Sequence, residues 1–409
     1  MNNREGSRPP ESLDAEAAEA AAAQNTATRA VRSGEHQVPP HSPAVTPVYQ
    51  TAPFMFDSAE ALVAGFERPD QRGLYSRLAN PTVRVVEEKL AALEGAEDAV
   101  AFASGMAAIS GTLGTLLEAG DRLLTAADLY GGTAAWLAWL VERHPSIELE
   151  SIALDDLAER LERGVDERTR GVYLETPTNP LLRCCDLARV AAACQRLGVV
   201  LIVDNTFATP VLQRPLTLGA TYVVHSATKY LGGHSDLTAG IVAGPATAMA
   251  EIRRTQRLGG ACLDPHAAFL LARGMRTVAL RVERQSENAA RLVGLLRRHE
   301  AVVATYYPDD AMARRQMSAG GAMVAFEVRG GLPAANRLLD SLRLFTIMAS
   351  LGGVESSVVL AAVTSHKNLT PAEREAQGIG DGLIRLSIGI EEGSDLEADL
   401  AQALSRVAG

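Results

Sequence analysis

The segment HSATKYLGGHSD, residues 225–236, contains a single lysine, Lys229. The apolar run TYVVH leads into it, Ser226 and Thr228 place hydroxyl groups beside it, and a Gly-Gly pair follows. An amine that is partly removed from water loses its proton more easily, and the neutral amine can form a Schiff base with an aldehyde. The segment therefore predicts a reactive amine among hydroxyl donors at the end of a strand.

Polar residues or glycines also end or follow four other apolar runs. Ser104 and Gly105 follow DAVAF at the start of a predicted helix, and Tyr130 comes soon after DRLLTA. RGVYLE ends in Glu175, and VVLIVD ends in Asp204. In doubly wound sheets, ligands bind beyond the carboxyl ends of the strands. We therefore expect these side chains to meet at one edge of a sheet.

Each of these residue types can bind one chemical group, and the groups together could belong to one ligand. Helix N-terminal N–H groups and hydroxyls bind phosphate, a carboxylate holds a protonated ring nitrogen, a tyrosine stacks on a ring, and an amine condenses with an aldehyde. The candidates, in that order, are Gly105 and Met106 with Ser226 and Thr228, then Asp204, Tyr130 and Lys229. A phosphate, a protonated ring and an aldehyde together make pyridoxal 5'-phosphate (PLP). Each residue alone has an ordinary structural interpretation, so the prediction depends on their joint placement.

Strand and helix patterns alternate from about Asp98 to Gly244. The strand runs are rich in Val, Ile and Leu and apolar on both faces, as expected when helices cover both sides of a parallel sheet. The sequence therefore predicts an α/β fold with a doubly wound, mostly parallel sheet. A long helical stretch from Ala267 to His299 then precedes the separate strands GAMVAFEV and LIRLSIGI, which predict a smaller α+β domain.

Four segments follow from these patterns. We predict a disordered tail over residues 1–27, which are acidic and rich in alanine, and an extended, proline-containing N-terminal arm over 28–75. The PLP-binding α/β domain is predicted over 76–267, and the C-terminal α+β domain over 268–409.

Composition limits the partners and the location. The net charge of −10 argues against nucleic acid or an anionic membrane surface as partner. No apolar run reaches the roughly 18 residues of a membrane span, and no basic segment precedes an apolar core at the N-terminus, so we expect no membrane and no secretory signal. Four cysteines without a C-x-x-C pair predict reduced thiols in a cytoplasmic protein, and the spacing of the eight histidines predicts no metal site.

The motifs together resemble the Cys/Met-metabolism family of PLP enzymes, which includes cystathionine γ-synthase, cystathionine β- and γ-lyases and methionine γ-lyase. The resemblance covers residues 28–409 and implies the fold of PLP-dependent transferases, fold type I. It is carried by YSRLANPT (75–82), SGMAAI (104–109), DLYGGT (128–133), ETPTNP (175–180), VDNTF (203–207), SATKYLGGHSD (226–236), SLGGVES (350–356) and IRLSIGIE (384–391).

The resemblance implies roles for individual residues. Lys229 is similar to the lysine that binds PLP and moves protons, Asp204 to the partner of the ring nitrogen, and Tyr130 to the stacking tyrosine that also acts near the leaving group. The phosphate site is implied for Gly105, Met106, Ser226 and Thr228.

The resemblance also implies a substrate site and an assembly. Arg385 is similar to the arginine that binds the substrate α-carboxylate as a bidentate pair, with Asn179 and Ser350 nearby. Tyr75 and Arg77 resemble a pair that reaches the PLP phosphate of a neighbouring subunit. The implied state is a homotetramer, a dimer of dimers with shared sites.

Three positions depart from the cystathionine enzymes, many of which carry charges there for the distal end of their substrate. They are Leu74, Ala135 and Ala349, all apolar. A zwitterionic distal end would be poorly matched here, because burying an unpaired charge is costly. We therefore expect a short, neutral side chain on the substrate. Methionine γ-lyases are similarly apolar at the first and third positions but usually carry a cysteine where this chain has Gly132. Lys367 is also unusual, and we leave its role open.

Several reactions remain in competition. The first is γ-elimination by a lyase similar to methionine γ-lyase, with a thiol or a specialised non-sulfur leaving group, that gives a 2-oxo acid or an unsaturated product. The alternatives are a γ-replacement transferase similar to cystathionine γ-synthase, and a cystathionine β- or γ-lyase. A scaffold without activity is disfavoured, because Lys229, Asp204, Tyr130 and Arg385 are all present. A nicotinamide dehydrogenase is disfavoured because no G-x-G-x-x-G follows the first strand.

Overall fold

The computed structural model describes residues 24–35, 43–67, 74–364, 370, 374 and 377–407. Most of the predicted tail over 1–27 lies outside these residues, as does Lys367. Within the described ranges, no helix is both long and apolar enough to cross a membrane. No group of three or more His, Cys, Asp or Glu side chains that could hold a metal ion occurs in the same ranges.

Among the described residues, three helices precede the large sheet, and helices alternate with most of its strands. The first three are α1 (Thr26–Arg32), α2 (Ala59–Glu67) and α3 (Pro81–Glu94). The next elements are β1 (Asp98–Phe102), α4 (Gly105–Leu116), β2 (Arg122–Ala126), α5 (Gly131–Arg143), β3 (Glu148–Ile152), α6 (Leu157–Glu162), β4 (Thr169–Glu175), α7 (Leu187–Leu197), β5 (Val200–Asp204), α8 (Thr209–Leu212), β6 (Tyr222–His225) and β7 (Gly240–Gly244). Two 3₁₀ turns, Leu154–Asp156 and Pro215–Leu218, complete this part.

The large sheet has seven strands in the order β1-β7-β6-β5-β4-β2-β3. The strands from β6 to β3 pair in parallel, whereas β7 runs antiparallel to both of its neighbours. Two apolar clusters of buried residues include the strands of this sheet: Leu123, Val172 and Leu201 belong to one cluster, and Ala99 and Ile241 to the other. The predicted α/β class is confirmed, and the carboxyl ends of β4, β5 and β6 meet at one edge.

A second sheet follows with five strands in the order β10-β11-β12-β9-β8. The elements after β7 are α9 (Ala246–Gly259), α10 (Pro265–Met275), α11 (Val278–Leu296), β8 (Val302–Tyr306), α12 (Ala313–Gln316), β9 (Met323–Val328), α13 (Gly331–Ser341), β10 (Thr346–Ile347), β11 (Ser357–Leu360), β12 (Leu383–Ser387) and α14 (Gly393–Ser405). The stretch from Ala267 to His299 that was predicted to be helical is helical over most of its length. It is two helices, which part at Thr277, where the backbone leaves helical geometry (φ −110°).

Lys89 attaches the N-terminal helix to α3. Its side chain is fully buried, and Nζ donates to the carbonyls of Ala30 at 3.0 Å and Ser33 at 2.6 Å, at the C-terminal end of α1. Burial lowers the pKa of Lys89 to about 8, an effect that Arg276 reinforces and Glu35 opposes. Lysine at a helix C-terminus also compensates the helix dipole. The contact therefore holds α1 at the cost of a buried cation.

The burial of Lys89 predicts that the stability of the folded chain depends on pH in the alkaline range. Because the pKa of Lys89 is about 8 in the folded chain and has its ordinary value of 10.5 in the unfolded chain, the unfolded chain binds more protons between these values, and stability rises with pH there. We expect the difference in unfolding free energy between wild type and Lys89→Met to move by on the order of 3 kcal/mol in favour of wild type across this range. Urea unfolding of both proteins at several pH values measures it. Parallel pH profiles would contradict the prediction.

Candidate functional site

A cavity of about 670 Å³ lies at the carboxyl edge of the large sheet, against the second sheet. Its described lining comes from both parts of the chain. The lining residues are Ser104, Gly105, Met106, Ile109, Tyr130, Glu175, Pro177, Asn179, Asp204, Thr206, Phe207, Ser226, Thr228, Lys229, Thr238, Ala349, Ser350, Leu351, Val359, Val363, Thr364 and Arg385. The residues predicted at the strand ends therefore do meet in one place.

The start of α4 forms an anion cradle against β6. Ser104 caps the helix, its side chain accepting the Ala107 N–H at 3.1 Å, so the N–H groups of Gly105 and Met106 precede the first helical hydrogen bonds. A Cβ at Gly105 would lie 2.8 Å from both Cβ and Oγ of Ser226. Only glycine permits this close approach, and it places backbone donors beside a hydroxyl, as phosphate binding requires.

Thr228 lies in the same wall with its hydroxyl already bonded. Its Oγ1 donates to the Ala239 carbonyl at 3.2 Å and accepts the Ala239 N–H at 2.9 Å. The hydroxyl hydrogen would have to turn from Ala239 to reach a phosphate. Thr238, which also lines the cavity, was not singled out from the sequence.

Lys229 extends into the cavity from the loop after β6. Its Nζ donates to Ser350 Oγ at 3.0 Å. Burial lowers the pKa of Lys229, and the positive charge of Arg385 lowers it further. Both effects favour the neutral amine, which is the nucleophilic and basic form. The site thus favours a neutral, nucleophilic amine whose position is fixed by a hydrogen bond to one hydroxyl.

Asp204 ends β5 in register with Glu175 at the end of β4. Asp204 accepts the Thr206 N–H at 2.9 Å on Oδ1 and the Tyr173 hydroxyl at 3.4 Å on Oδ2. Burial raises the pKa of Asp204, and hydrogen bonds from Thr206 oppose the rise. A cation next to this carboxyl would lower its pKa again and keep it ionised. Asp204 is therefore suited to hold a protonated ring nitrogen.

Glu175 is a site residue that sequence reasoning noted at a strand end but did not assign. Burial raises its pKa well above the usual range, and the nearby Asp204 carboxyl raises it further. Its Oε1 accepts the Tyr130 N–H at 2.7 Å. Glu175 therefore fixes the backbone at Tyr130, the residue before α5. Its position at the end of β4, beside a predicted acid on β5, was the signal that could have identified it.

Tyr130 caps α5, and its side chain is about half exposed at the cavity. A Cβ at Gly132 would collide with the Tyr130 ring. A cysteine at that position, as the resemblance to methionine γ-lyases would favour, could not coexist with this ring placement. The glycine thus lets the ring lie against the backbone of α5.

Arg385 on β12 lies buried opposite the strand ends. Its guanidinium donates to Asn179 Oδ1 at 2.7 Å and to the Ser350 carbonyl at 3.4 Å. Its Nε has no hydrogen-bond partner in the part of the chain that the structure describes. Burial lowers the pKa of Arg385 to about 10. A buried cation with a spare donor is a ready partner for a carboxylate.

Three predicted site residues lie outside this cavity. Leu74 is buried, and its carbonyl accepts the Phe54 N–H at 3.2 Å. Tyr75 and Arg77 are exposed, the guanidinium of Arg77 lying 5.8 Å from the Tyr75 ring centre and donating to the Arg257 carbonyl at 2.8 Å. These side chains do not join the site of their own chain.

Part of the cavity lining beside Arg385 is apolar. Val359 pairs with Arg385 across β11 and β12, Ala349 precedes Ser350, and Val363 follows β11; we call these three residues the apolar wall. Among the described lining residues the charged types are Glu175, Asp204, Lys229 and Arg385. None of these four lies in the apolar wall. A ligand group placed against that wall is matched best when it carries no charge.

Comparison with known proteins places the chain among PLP enzymes. The sequence model of the Cys/Met metabolism PLP-dependent enzymes matches residues 27–405. L-methionine γ-lyase of Pseudomonas putida is 44% identical over 386 residues, 92% of this chain and 96% of that one. O-succinylhomoserine sulfhydrylase of Pseudomonas aeruginosa is 39% identical over 386 residues, 92% and 94% of the two chains. Cystathionine γ-synthase of Xanthomonas oryzae pv. oryzae, solved with aminoacrylate and cysteine, is 37% identical with a TM-score of 0.88 and covers 94% of this chain and 99% of that one.

Proposed function

The chain belongs to the Cys/Met metabolism family of PLP-dependent enzymes, and from this premise we propose that it is a lyase that carries out γ-elimination on an L-amino acid with a short, neutral side chain. The observation that carries the proposal is the apolar wall beside Arg385. The products are the neutral leaving group, ammonia and a 2-oxo acid. Methionine fits this description, and a thiol is the leaving group that the relatives favour.

The residues present fit PLP. Gly105 approaches Ser226 as closely as a phosphate cradle requires, and a partly buried amine and a partly buried carboxyl face the same cavity. Gly105, Met106, Ser226 and Thr228 would hold the phosphate, Asp204 the ring nitrogen, and Tyr130 the ring face. When bound, PLP supplies an electron sink that stabilises negative charge at the substrate Cα.

The chain's own residues then bind, orient and move protons. Arg385, held by Asn179, binds the α-carboxylate and so fixes the Cα–H bond beside Lys229. Lys229 removes that proton and then one from Cβ. Tyr130, at the mouth of the cavity, supplies a proton to the leaving group. Ala349, Val359 and Val363 surround the side chain and exclude charged substituents.

Replacement instead of elimination is the second candidate. The relatives include O-succinylhomoserine sulfhydrylase at 39% identity and cystathionine γ-synthase 1 of Nicotiana tabacum at 38%. In a replacement, a thiol would enter where the leaving group departs, so both reactions use the same residues. An apolar wall accepts a small thiol as well as it accepts a small leaving group, so the wall does not distinguish the two reactions.

The deciding experiment is release of 2-oxo acid from a panel of amino acids without an added thiol. Methionine, homocysteine and neutral γ-substituted analogues are compared with cystathionine. The proposal expects release from neutral substrates and little from cystathionine. Release mainly from cystathionine would overturn the neutral-substrate assignment, and product that appears only after a thiol is added would make the enzyme a transferase. Ala349→Glu should shift preference towards cystathionine, with Ala349→Gln as the uncharged control.

We propose that the enzyme assembles as a homotetramer built from two dimers with shared sites, and that it works in the cytoplasm. Support for sharing comes from Tyr75 and Arg77, which are exposed and lie outside the cavity of their own chain. Support for a reducing compartment comes from the four free cysteines.

The shared site makes Arg77→Ala a test of assembly. We expect PLP to dissociate roughly 10-fold more readily, since a charged contact to phosphate is lost. Arg254→Ala, an exposed arginine on α9, is the control. Spectroscopic titration with PLP measures affinity, and light scattering confirms that the oligomer is intact. Unchanged affinity in Arg77→Ala would contradict the shared site.

A further inference from the structure

A buried carboxylate, Glu94, lies outside the cavity at the end of α3. It is fully buried, as are His225 and Asn205, which contact it. Its Oε1 accepts Asn205 Nδ2 at 3.1 Å and lies 2.6 Å from His225 Nε2. A single oxygen therefore joins residues from the ends of two neighbouring strands, β5 and β6.

This placement of Glu94 is unfavourable by itself. The last residue of a helix faces the negative end of the helix dipole, where a carboxylate is destabilising. Its Oε2 and the Nδ1 of His225 have no hydrogen-bond partner among the described residues. A leucine would avoid these costs, since apolar replacements of buried ion pairs are often neutral or stabilising. Local conflicts of this kind concentrate at functional sites.

The two residues that Glu94 joins are each next to a residue of the cavity. Asn205 follows Asp204, and His225 precedes Ser226. The β5–β6 ladder ends at the Asp204–Val224 pair, where the Asn205 N–H still donates to the Val224 carbonyl at 2.9 Å, and no further backbone pair of these two strands follows. Glu94 spans the two strand ends just past that point.

A hydroxyl joins the same two segments from the cavity. Thr206 donates its N–H to Asp204 Oδ1 at 2.9 Å, and its Oγ1 accepts the Ser226 N–H at 2.8 Å. Beyond the last backbone bond of the ladder, two side chains thus join the strand ends, Thr206 inside the cavity and Glu94 outside it.

Asn205 is itself fixed, so the bond to Glu94 has one geometry. Its Nδ2 also donates to the Gln213 carbonyl at 2.9 Å, and its Oδ1 accepts from Gln213 Nε2 at 3.0 Å. Gln213 in turn donates to the Thr176 carbonyl, after β4, at 3.1 Å. A network in which each member is anchored transmits a displacement of one strand end to the next.

We propose that Glu94 is a positioning residue for PLP: its Oε1 sets the separation between Asp204, assigned to the ring nitrogen, and Ser226, assigned to the phosphate. The loop from Ser226 to Lys229 is held through His225 by the same contact. A rigid ligand whose two ends are bound at fixed points is sensitive to small changes in their separation. The inference rests on the cofactor and not on the substrate or reaction type.

The test compares Glu94→Ala with Leu93→Ala, a neighbouring, fully buried residue on the same helix. PLP affinity and the visible spectrum of the bound cofactor are measured by titration, and thermal unfolding is followed with and without PLP. Glu94→Ala is expected to weaken PLP binding at least about 10-fold, shift the spectrum and reduce the stabilisation that PLP provides. Leu93→Ala is expected to lower both unfolding temperatures together and leave affinity within about 2-fold.

Two further variants keep the test decisive if Glu94→Ala does not fold. Glu94→Gln retains an oxygen for Asn205 and should restore affinity to within about 3-fold of wild type. His225→Asn removes one arm of the contact and should weaken PLP about 10-fold, with no further loss in the Glu94→Gln, His225→Asn double variant. Wild-type affinity and spectrum in His225→Asn and in whichever Glu94 variants fold would overturn the proposal and leave Glu94 a structural residue. So would loss of affinity in proportion to stability, as in Leu93→Ala.

Discussion

Replacing Lys229 with alanine is expected to lower kcat/KM by roughly 10⁴-fold or more and to remove the visible band of lysine-bound cofactor. General acid–base catalysis by one side chain contributes on the order of 10²–10⁴-fold, and here the same amine also forms the covalent link. Lys229 is the only lysine among the described residues that line the cavity. The chain therefore offers no second amine there to take its place.

Further variants distinguish a loss of catalysis from a loss of folding. Lys229→Arg keeps the positive charge but lacks a nucleophilic amine, so it should be as inactive as Lys229→Ala. Small primary amines added to Lys229→Ala should restore part of the activity, because they can supply the missing base. Ser350→Ala, which removes the hydroxyl at 3.0 Å from Nζ, should be affected far less. An active Lys229→Ala enzyme that keeps its visible band would refute the assignment.

The sequence predicted the large-sheet half of the site because of a rule of topology. Asp204, Ser226 and Lys229 follow parallel strands, whose carboxyl ends must share an edge. The part of the site that comes from the smaller sheet could not be predicted from this topological rule. Arg385 and Ser350 come from the smaller sheet, and hydrophobic patterns do not say which face of one domain meets another. Their assignment depended on the resemblance to the family.

Three other features were not predicted from the sequence, and each omission has a physical cause. Edge strand β3 was not predicted, since its glutamates and half-exposed positions do not form the continuous apolar run of the central strands. The reversal of β7 is invisible because a buried strand reads the same in either direction. Glu94 was not predicted either, since it is the last residue of a helix and no local motif marks it. Its contacts lie 111 and 131 residues away in the chain, beyond any local pattern.

Replacement of Arg385 is the second change for which we expect a large loss of activity. Replacing it with leucine should lower kcat/KM about 10³-fold, mainly through a higher KM, because a bidentate charged contact to the α-carboxylate is lost. Arg385→Lys keeps the charge without the planar fork and should fall in between. Substrate analogues without the α-carboxylate should be handled alike by wild type and Arg385→Leu. A wild-type KM in Arg385→Leu would rule out this role.

Stability should move differently from activity in the same variant. Arg385 is buried, its Nε is unpaired in the described structure, and burial has lowered its pKa to about 10, so the folded protein bears a cost for this cation. Leucine removes that cost while leaving Asn179 Oδ1 without its donor. We expect the unfolding temperature of Arg385→Leu to stay near that of wild type while kcat/KM falls about 10³-fold. A charge that binds substrate predicts this separation, whereas a charge that holds the two sheets together predicts that both fall.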